Sequence, residues 1–148
     1  MAEIPKARTS EDHGYLLDEQ VGFLLRKAYQ RSCTLFAERV EARLTPTQFA
    51  VMHRLAEVGP MSQNLLGRSV AMDAATTKGV VDRLTARGLL RTERDPCDRR
   101  RHLVSLTAEG VAMVDTATDA AIEVSADTLD PLSRREQETL IRLLGKIA

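Results

Sequence analysis

Residues 73–107 read DAATTKGVVDRLTARGLLRTERDPCDRRRHLVSLT, and this stretch decides the fold. Asp73 stands just ahead of a run in which Val80, Val81 and Leu84 recur at helical spacing. An aspartate there accepts hydrogen bonds from the free N–H groups of a first helical turn. Gly88 closes the run, because a helix commonly ends on a residue in the left-handed region. The period then changes. Leu89 to Arg94 and Arg101 to Leu106 are two short β-prone runs, joined by Asp95-Pro96-Cys97-Asp98-Arg99-Arg100, where Pro and Asp favour a turn. A β-hairpin with a charged tip is expected, followed by a helix capped by Thr107.

Upstream, Ser62 caps a short helix bearing Leu65, Leu66 and Val70, separated from the next helix by the three residues Ala71-Met72-Asp73. Ahead of it, Thr45-Pro46-Thr47-Gln48 supplies a capping hydroxyl, a proline at the first helical position and a glutamine reaching back to the cap. That helix buries Phe49, Met52, Leu55 and Ala56, and Gly59-Pro60 ends it. Leu17, Val21, Leu24, Leu25, Ala28, Leu35, Phe36 and Val40 lay one apolar stripe along a long first helix. Residues 1–14 are polar and unpatterned, and read as a flexible arm. Downstream, the helix after Thr107 runs to about Leu129 and is broken by Asp130-Pro131. Ser133 and Glu136 form a second capping box before a last helix with Leu140, Ile141, Leu143 and Leu144 on its apolar side.

The expected order is therefore α-α-α-α-β-β-α-α: a mostly α fold with a small β-hairpin wing. With 148 residues there is room for one packed domain, placed at residues 15–148 behind the arm. The low aromatic share, 3% with no Trp, suits helices built on Leu, Val and Ala. Net charge is zero, so whole-chain electrostatics indicate no partner; the distribution does. From Lys78 to His102 the basic residues Lys78, Arg83, Arg87, Arg91, Arg94, Arg99, Arg100 and Arg101 face only Asp82, Glu93, Asp95 and Asp98. No apolar run is long enough for a membrane span and the N-terminus lacks a secretion pattern, so a cytoplasmic location is expected, with Cys33 and Cys97 as free thiols. His13, His53 and His102 have no metal-ligand spacing, and no nucleophile has a base beside it; neither metal nor cofactor nor enzyme activity is expected.

Two short helices joined by a tight turn and followed at once by a basic hairpin make a winged helix-turn-helix, whose ordinary partner is double-stranded DNA. The second short helix would enter a major groove and offer Thr76, Thr77 and Lys78 to base edges and phosphates, with Ser62 and Gln63 at the start of the preceding helix. The wing would straddle the backbone with Arg99, Arg100 and Arg101, and a tip arginine can enter a narrow minor groove. Arg83 and Arg87 are read as contacts to phosphates or neighbouring carboxylates rather than to bases. Gly79, costly in a helix interior by about 1 kcal/mol relative to Ala, leaves room for a close approach.

The stretch from Asp98 through Arg100 to Leu106-Thr107 resembles the wing signature of the MarR family, and Val81-Asp82-Arg83-Leu84 with Gly88-Leu89 resembles the end of its recognition helix. The resemblance extends from about Leu17 to Ile147. It implies that Arg100 is the minor-groove arginine, that Asp98 holds the wing in shape, and that the first and last two helices intertwine with a second subunit. On this division residues 45–106 form the DNA-binding lobe, and residues 15–42 and 107–148 the dimerisation helices. The apolar stripes on those helices also exceed what the small lobe can cover, which points to a homodimer on a palindrome. Lys78 and Gly79 depart from the Ser or Thr and the Arg that many relatives have there, so base preference does not carry over.

Relatives of this kind bind small aromatic carboxylates between the dimerisation helices and the DNA-binding lobe, and then release DNA. Arg26, Lys27, Tyr29, Arg31 and His53 are the ligand candidates this resemblance implies. Parts of the first and recognition helices are more similar to regulators of hydroxycinnamate-type catabolism, which implies an aromatic acid or its coenzyme A thioester as effector. The expected function is a repressor released from its operator by that effector. Two alternatives are open at this point: a thiol switch through Cys33 or Cys97 on the same fold, and a helical dimer that serves as an adaptor without touching DNA.

Overall fold

The computed structural model describes Met1 and residues 4–41 and 43–148. The arm's Ala2 and Glu3, and Ala42 at the end of the first dimerisation segment, lie outside the described residues. The N-terminal stretch holds one helical turn that the apolar pattern gave no reason to expect, α1 (Ser10–His13). It is fixed locally: the Thr9 N–H donates to the Asp12 carboxylate at 2.6 Å, and Gly14 closes the turn at φ 68°. The long helix also starts later than its apolar stripe. Leu17–Glu19 form a 3-10 turn, Gln20 is extended, and α2 spans Val21–Arg39.

The segment 45–106 follows its capping chemistry closely. α3 (Pro46–Val58) opens on the Thr45–Gln48 box and stops at Gly59, whose φ is 90°. α4 (Gln63–Ser69) and α5 (Ala74–Ala86) are capped by Ser62 and Asp73, whose side chains accept from the N–H groups of Leu65 and Thr76. Between them Ala71 takes a positive φ of 55°. β1 (Leu90–Arg94) and β2 (His102–Leu106) form an antiparallel hairpin with Leu90 opposite Leu106 and Arg94 opposite His102. The hairpin has a third attachment: Met61, just before α4, exchanges two backbone hydrogen bonds with Val104 at 2.8 and 3.2 Å. The wing is thereby sewn to the start of the helix-turn-helix.

α6 (Ala108–Leu129) leaves the wing at Thr107, whose side chain accepts from Gly110 N–H and whose hydroxyl donates to the Gly88 carbonyl at 2.6 Å. α7 (Arg134–Ile147) opens on the Ser133–Glu136 box. One core joins the lobe to the long helices. Met52, Leu55, Leu66, Val81, Leu84, Leu90 and Val104 are buried together with Phe36 and Val40 of α2 and Val114, Ala117 and Val124 of α6. Their removal from water is the main stabilising term of the fold. α2 and α6 are also clamped by charge: Arg39 reaches Glu123 at 2.7 Å and pairs with Asp127.

α7 is the exception. None of its residues is buried. Leu140, Leu143, Leu144 and Ile147 instead face Val21, Leu24, Leu25 and Ala28 of α2 across an apolar groove of about 440 Å³.

Candidate nucleic-acid interface

The packing of α4 against α5 sets which side chains of the second helix can face outward. Gly67 lies beneath Thr77: a Cβ on Gly67 would stand 2.5 Å from the Thr77 hydroxyl oxygen. Thr77 is 1% exposed, and its hydroxyl donates to the Asp73 carbonyl at 2.7 Å. Its expected contact with a base is thus corrected. Thr77 belongs to the interface between the two helices, on the same side of α5 as Val80, Val81 and Leu84.

Thr76 and Lys78 are exposed, and each is engaged. The Thr76 N–H and hydroxyl both donate to the Asp73 carboxylate, at 2.7 and 2.9 Å. These bonds hold the Asp73 carboxyl below the usual carboxylate range, because they stabilise its ionised form. Lys78 Nζ lies 2.6 Å from Asp82, one helical turn on. Arg83 is exposed and has no hydrogen-bond or ion-pair partner among the described residues. Its guanidinium folds back towards Gly79. Arg87 donates to the Arg43 carbonyl at 3.0 Å, tying the end of α5 to the linker that follows α2. Ser62 and Gln63 are half-buried at the start of α4. Gln63, Asn64 and Arg68 line a notch of about 240 Å³ against Ala74 and Thr77, and Asn64 and Arg68 carry no apolar or capping signal that would have singled them out.

The wing tip is built by its own backbone. Asp95 N–H donates to the Arg101 carbonyl and Arg101 N–H to the Asp98 carbonyl, at 2.8 and 2.9 Å. The Asp98 carboxylate accepts from Arg100 N–H at 3.0 Å, and the Asp95 carboxylate from Cys97 N–H at 2.8 Å, two local turns of the kind aspartate favours. Arg101 leans back to Asp95 at 3.8 Å. Arg99 and Arg100 are exposed, and their side chains have no partner among the described residues. The tip therefore offers two free guanidinium groups on a turn whose shape does not depend on them.

The ligand candidates do not gather in one place. Arg31 is engaged in closing α6, donating to the carbonyls of Asp127 and Thr128, where the last turn of a helix leaves acceptors without partners. Arg26 is exposed on α2, and Lys27 lies over the Phe23 ring at 5.5 Å. The neighbouring Cys33 thiol, with partial burial, pushes the Tyr29 phenol above the usual tyrosine value. His53 is apart from these on α3. Its ring meets that of Phe49 at 5.5 Å with a 44° tilt, lies 3.7 Å from Glu57, and lines a depression of about 280 Å³ with Phe49, Ala50, Arg54, Glu57 and Val70. Arg54, absent from the candidates, has a buried Nε without a partner there. Cys97 is exposed in the wing turn and Cys33 is half-buried.

Among the described residues no group of three His, Cys, Asp or Glu side chains could hold a metal ion, and no helix is long and apolar enough to cross a membrane. The sequence pattern of the MarR family matches residues 44–101. The chain is 38% identical over 144 residues to the HTH-type transcriptional repressor NicR of Pseudomonas putida, covering 97% of this chain and 91% of NicR. Its structure is similar to that of a probable transcriptional regulator from Pseudomonas aeruginosa, with 52% identity and a TM-score of 0.85 over 90% of this chain and all of the other. It is likewise similar to Bordetella bronchiseptica BpsR, whose DNA binding is regulated by 6-hydroxynicotinic acid, with 39% identity, a TM-score of 0.84, and 90% and 96% of the two chains covered. The chain belongs to the MarR family of winged helix-turn-helix transcriptional regulators.

Proposed function

We propose that this protein is a homodimeric repressor that grips a palindromic operator through α5 and the wing, and lets go when a small aromatic carboxylate binds. The observation that carries the reading is the pair Arg99 and Arg100, whose side chains have no partner among the described residues, on a wing tip shaped by its own backbone, beside the exposed face of α5. Guanidinium groups held out in this way suit the phosphates and the narrow minor groove next to a recognition helix. NicR and BpsR, both similar over nine-tenths or more of this chain, are a repressor and a ligand-regulated DNA-binding protein.

Dimerisation is supported by the apolar faces of α2 and α7. Val21 is 64% and Ile147 68% exposed, and Leu24, Leu25, Leu140 and Leu143 lie open between them. A second copy burying these faces would place two recognition helices about one DNA turn apart, ~34 Å.

For the effector, the depression around His53 favours a single-ring aromatic or heteroaromatic acid over a coenzyme A thioester. Its volume of about 280 Å³ fits one ring, Phe49 supplies an aromatic wall, and His53 with Arg54 supplies donors for a carboxylate that would compete with Glu57, the present partner of both. The exposed Arg26 and Lys27 on α2 are the cations that a thioester's phosphates would need, and they lie outside this depression. A gel shift with the duplex upstream of the protein's own gene, titrated with benzoates, cinnamates, nicotinates and their thioesters, tests the reading. Release by a free acid, reduced at least tenfold in sensitivity by His53→Ala, is the expected result. Release by thioesters alone would move the site to α2.

A further inference from the structure

Of the side chains that α5 turns outward, three are charged, Lys78, Asp82 and Arg83. Lys78 and Asp82 form an ion pair with the nitrogen and oxygen 2.6 Å apart, so together they bring no net charge. Arg83 differs in two respects. It is exposed with no partner among the described residues, and its guanidinium lies along the helix beside Gly79. The Nη atoms are 3.7 and 4.0 Å from the point where a Cβ of residue 79 would stand. Glycine weakens a helix interior relative to alanine. At this position it leaves a corridor on the helix surface that the Arg83 side chain occupies.

An unpaired guanidinium holds five donors in a rigid fork, and that fork matches the O6 and N7 acceptors of guanine in the major groove. An ammonium is a point charge and matches them less specifically. Resting on the reading of this chain as an operator-binding regulator, we propose that Arg83 determines sequence specificity by bidentate contact with one guanine in each half-site. This replaces the expectation from sequence that Arg83 meets a phosphate or a carboxylate. Among the described residues no carboxylate pairs with it, and the exposed side chain runs back along the helix past Gly79, on the flank of the buried face formed by Thr77, Val80, Val81 and Leu84.

The test is binding-site selection from a randomised duplex library, with the full chain as wild type, Arg83→Ala and Arg83→Lys, all three checked for unchanged far-ultraviolet melting. Wild type selects a palindrome with a fixed guanine in each half-site. Arg83→Ala retains the rest of the palindrome and loses that guanine, its discrimination there falling on the order of 10- to 100-fold. Arg83→Lys recovers affinity for all sequences without recovering the discrimination. With wild-type protein, 7-deazaguanine at that position weakens binding by a similar factor, because it removes the N7 acceptor; with Arg83→Ala it has no effect. The proposal is overturned if Arg83→Ala selects the same sequence as wild type while every duplex is weakened alike, or if 7-deazaguanine leaves wild-type binding unchanged. If wild type selects no sequence at all, the operator-binding reading itself fails.

Discussion

The hydroxyl of Thr77 occupies the space that a methyl group on Gly67 would need, with 2.5 Å between the oxygen and that carbon position, and the Met72 carbonyl 3.2 Å away on another side. The two short helices can approach this closely only because residue 67 is glycine. Gly67→Ala is expected to destabilise the protein by about 1–3 kcal/mol, the usual range for overpacking. DNA affinity should fall with it as α5 tilts on α4. Adding Thr77→Ala should restore part of the loss in thermal melts, since it removes the nearest obstructing atom.

A sharper constraint holds the wing to α6. A Cβ on Gly110 would stand 2.1 Å from the Leu89 carbonyl oxygen, which is backbone and has no rotamer to yield. Gly110→Ala is expected to cost about 3 kcal/mol or more. Chemical denaturation should show it less stable than Gly67→Ala.

Much of this architecture was legible in the sequence because it is written in caps. Thr45 with Gln48, Ser62, Asp73, Thr107 and Ser133 with Glu136 each name a helix start within a residue, and Gly59 and Gly88 name two ends. Other features depend on contacts between distant residues. The apolar stripe running through Leu17 into α2 does not reveal the break at Gln20, because an apolar face turned to a partner subunit has the same period as one turned to a core. Threonine carries no mark of burial, so nothing in the sequence separates Thr77 from its neighbour Thr76; the difference comes from Gly67 beneath it. The tie from Met61 to Val104 spans 43 positions and uses only backbone. The ligand candidates drawn from α2 dispersed for the same reason. Spacing along one helix cannot show that Arg31 serves the last carbonyls of α6.

The Asp73 cap has a pH signature. Its carboxyl is shifted down in the folded chain, so its stabilisation is complete above the unfolded aspartate pKa, ~3.9, and is lost as pH falls through the lower folded value. Asp12 and Glu136 shift in the same direction for the same reason, through bonds to Thr9 and Ser133. Asp73→Asn retains a capping oxygen without the charge. Its melting temperature should therefore lie below wild type above the unfolded aspartate pKa, ~3.9, and converge on it as the pH is lowered past that value.

The apolar faces of α2 and α7 predict a second outcome in solution. Leu143→Asp places a charge in the groove that faces Leu24 and Leu25. Sedimentation should show wild type as a dimer at micromolar concentration and Leu143→Asp shifted towards monomer, with the lobe's core still folded.

The central claim is that α5 and the wing hold adjacent grooves of one duplex, once per subunit. Hydroxyl-radical footprinting on the selected duplex tests it most directly. Two protected regions about 10 base pairs apart and related by a dyad are predicted, each flanked by minor-groove protection that disappears in Arg99→Ala/Arg100→Ala while the central protection persists. A single unsymmetrical footprint, or flanks that survive the double substitution, would contradict the account.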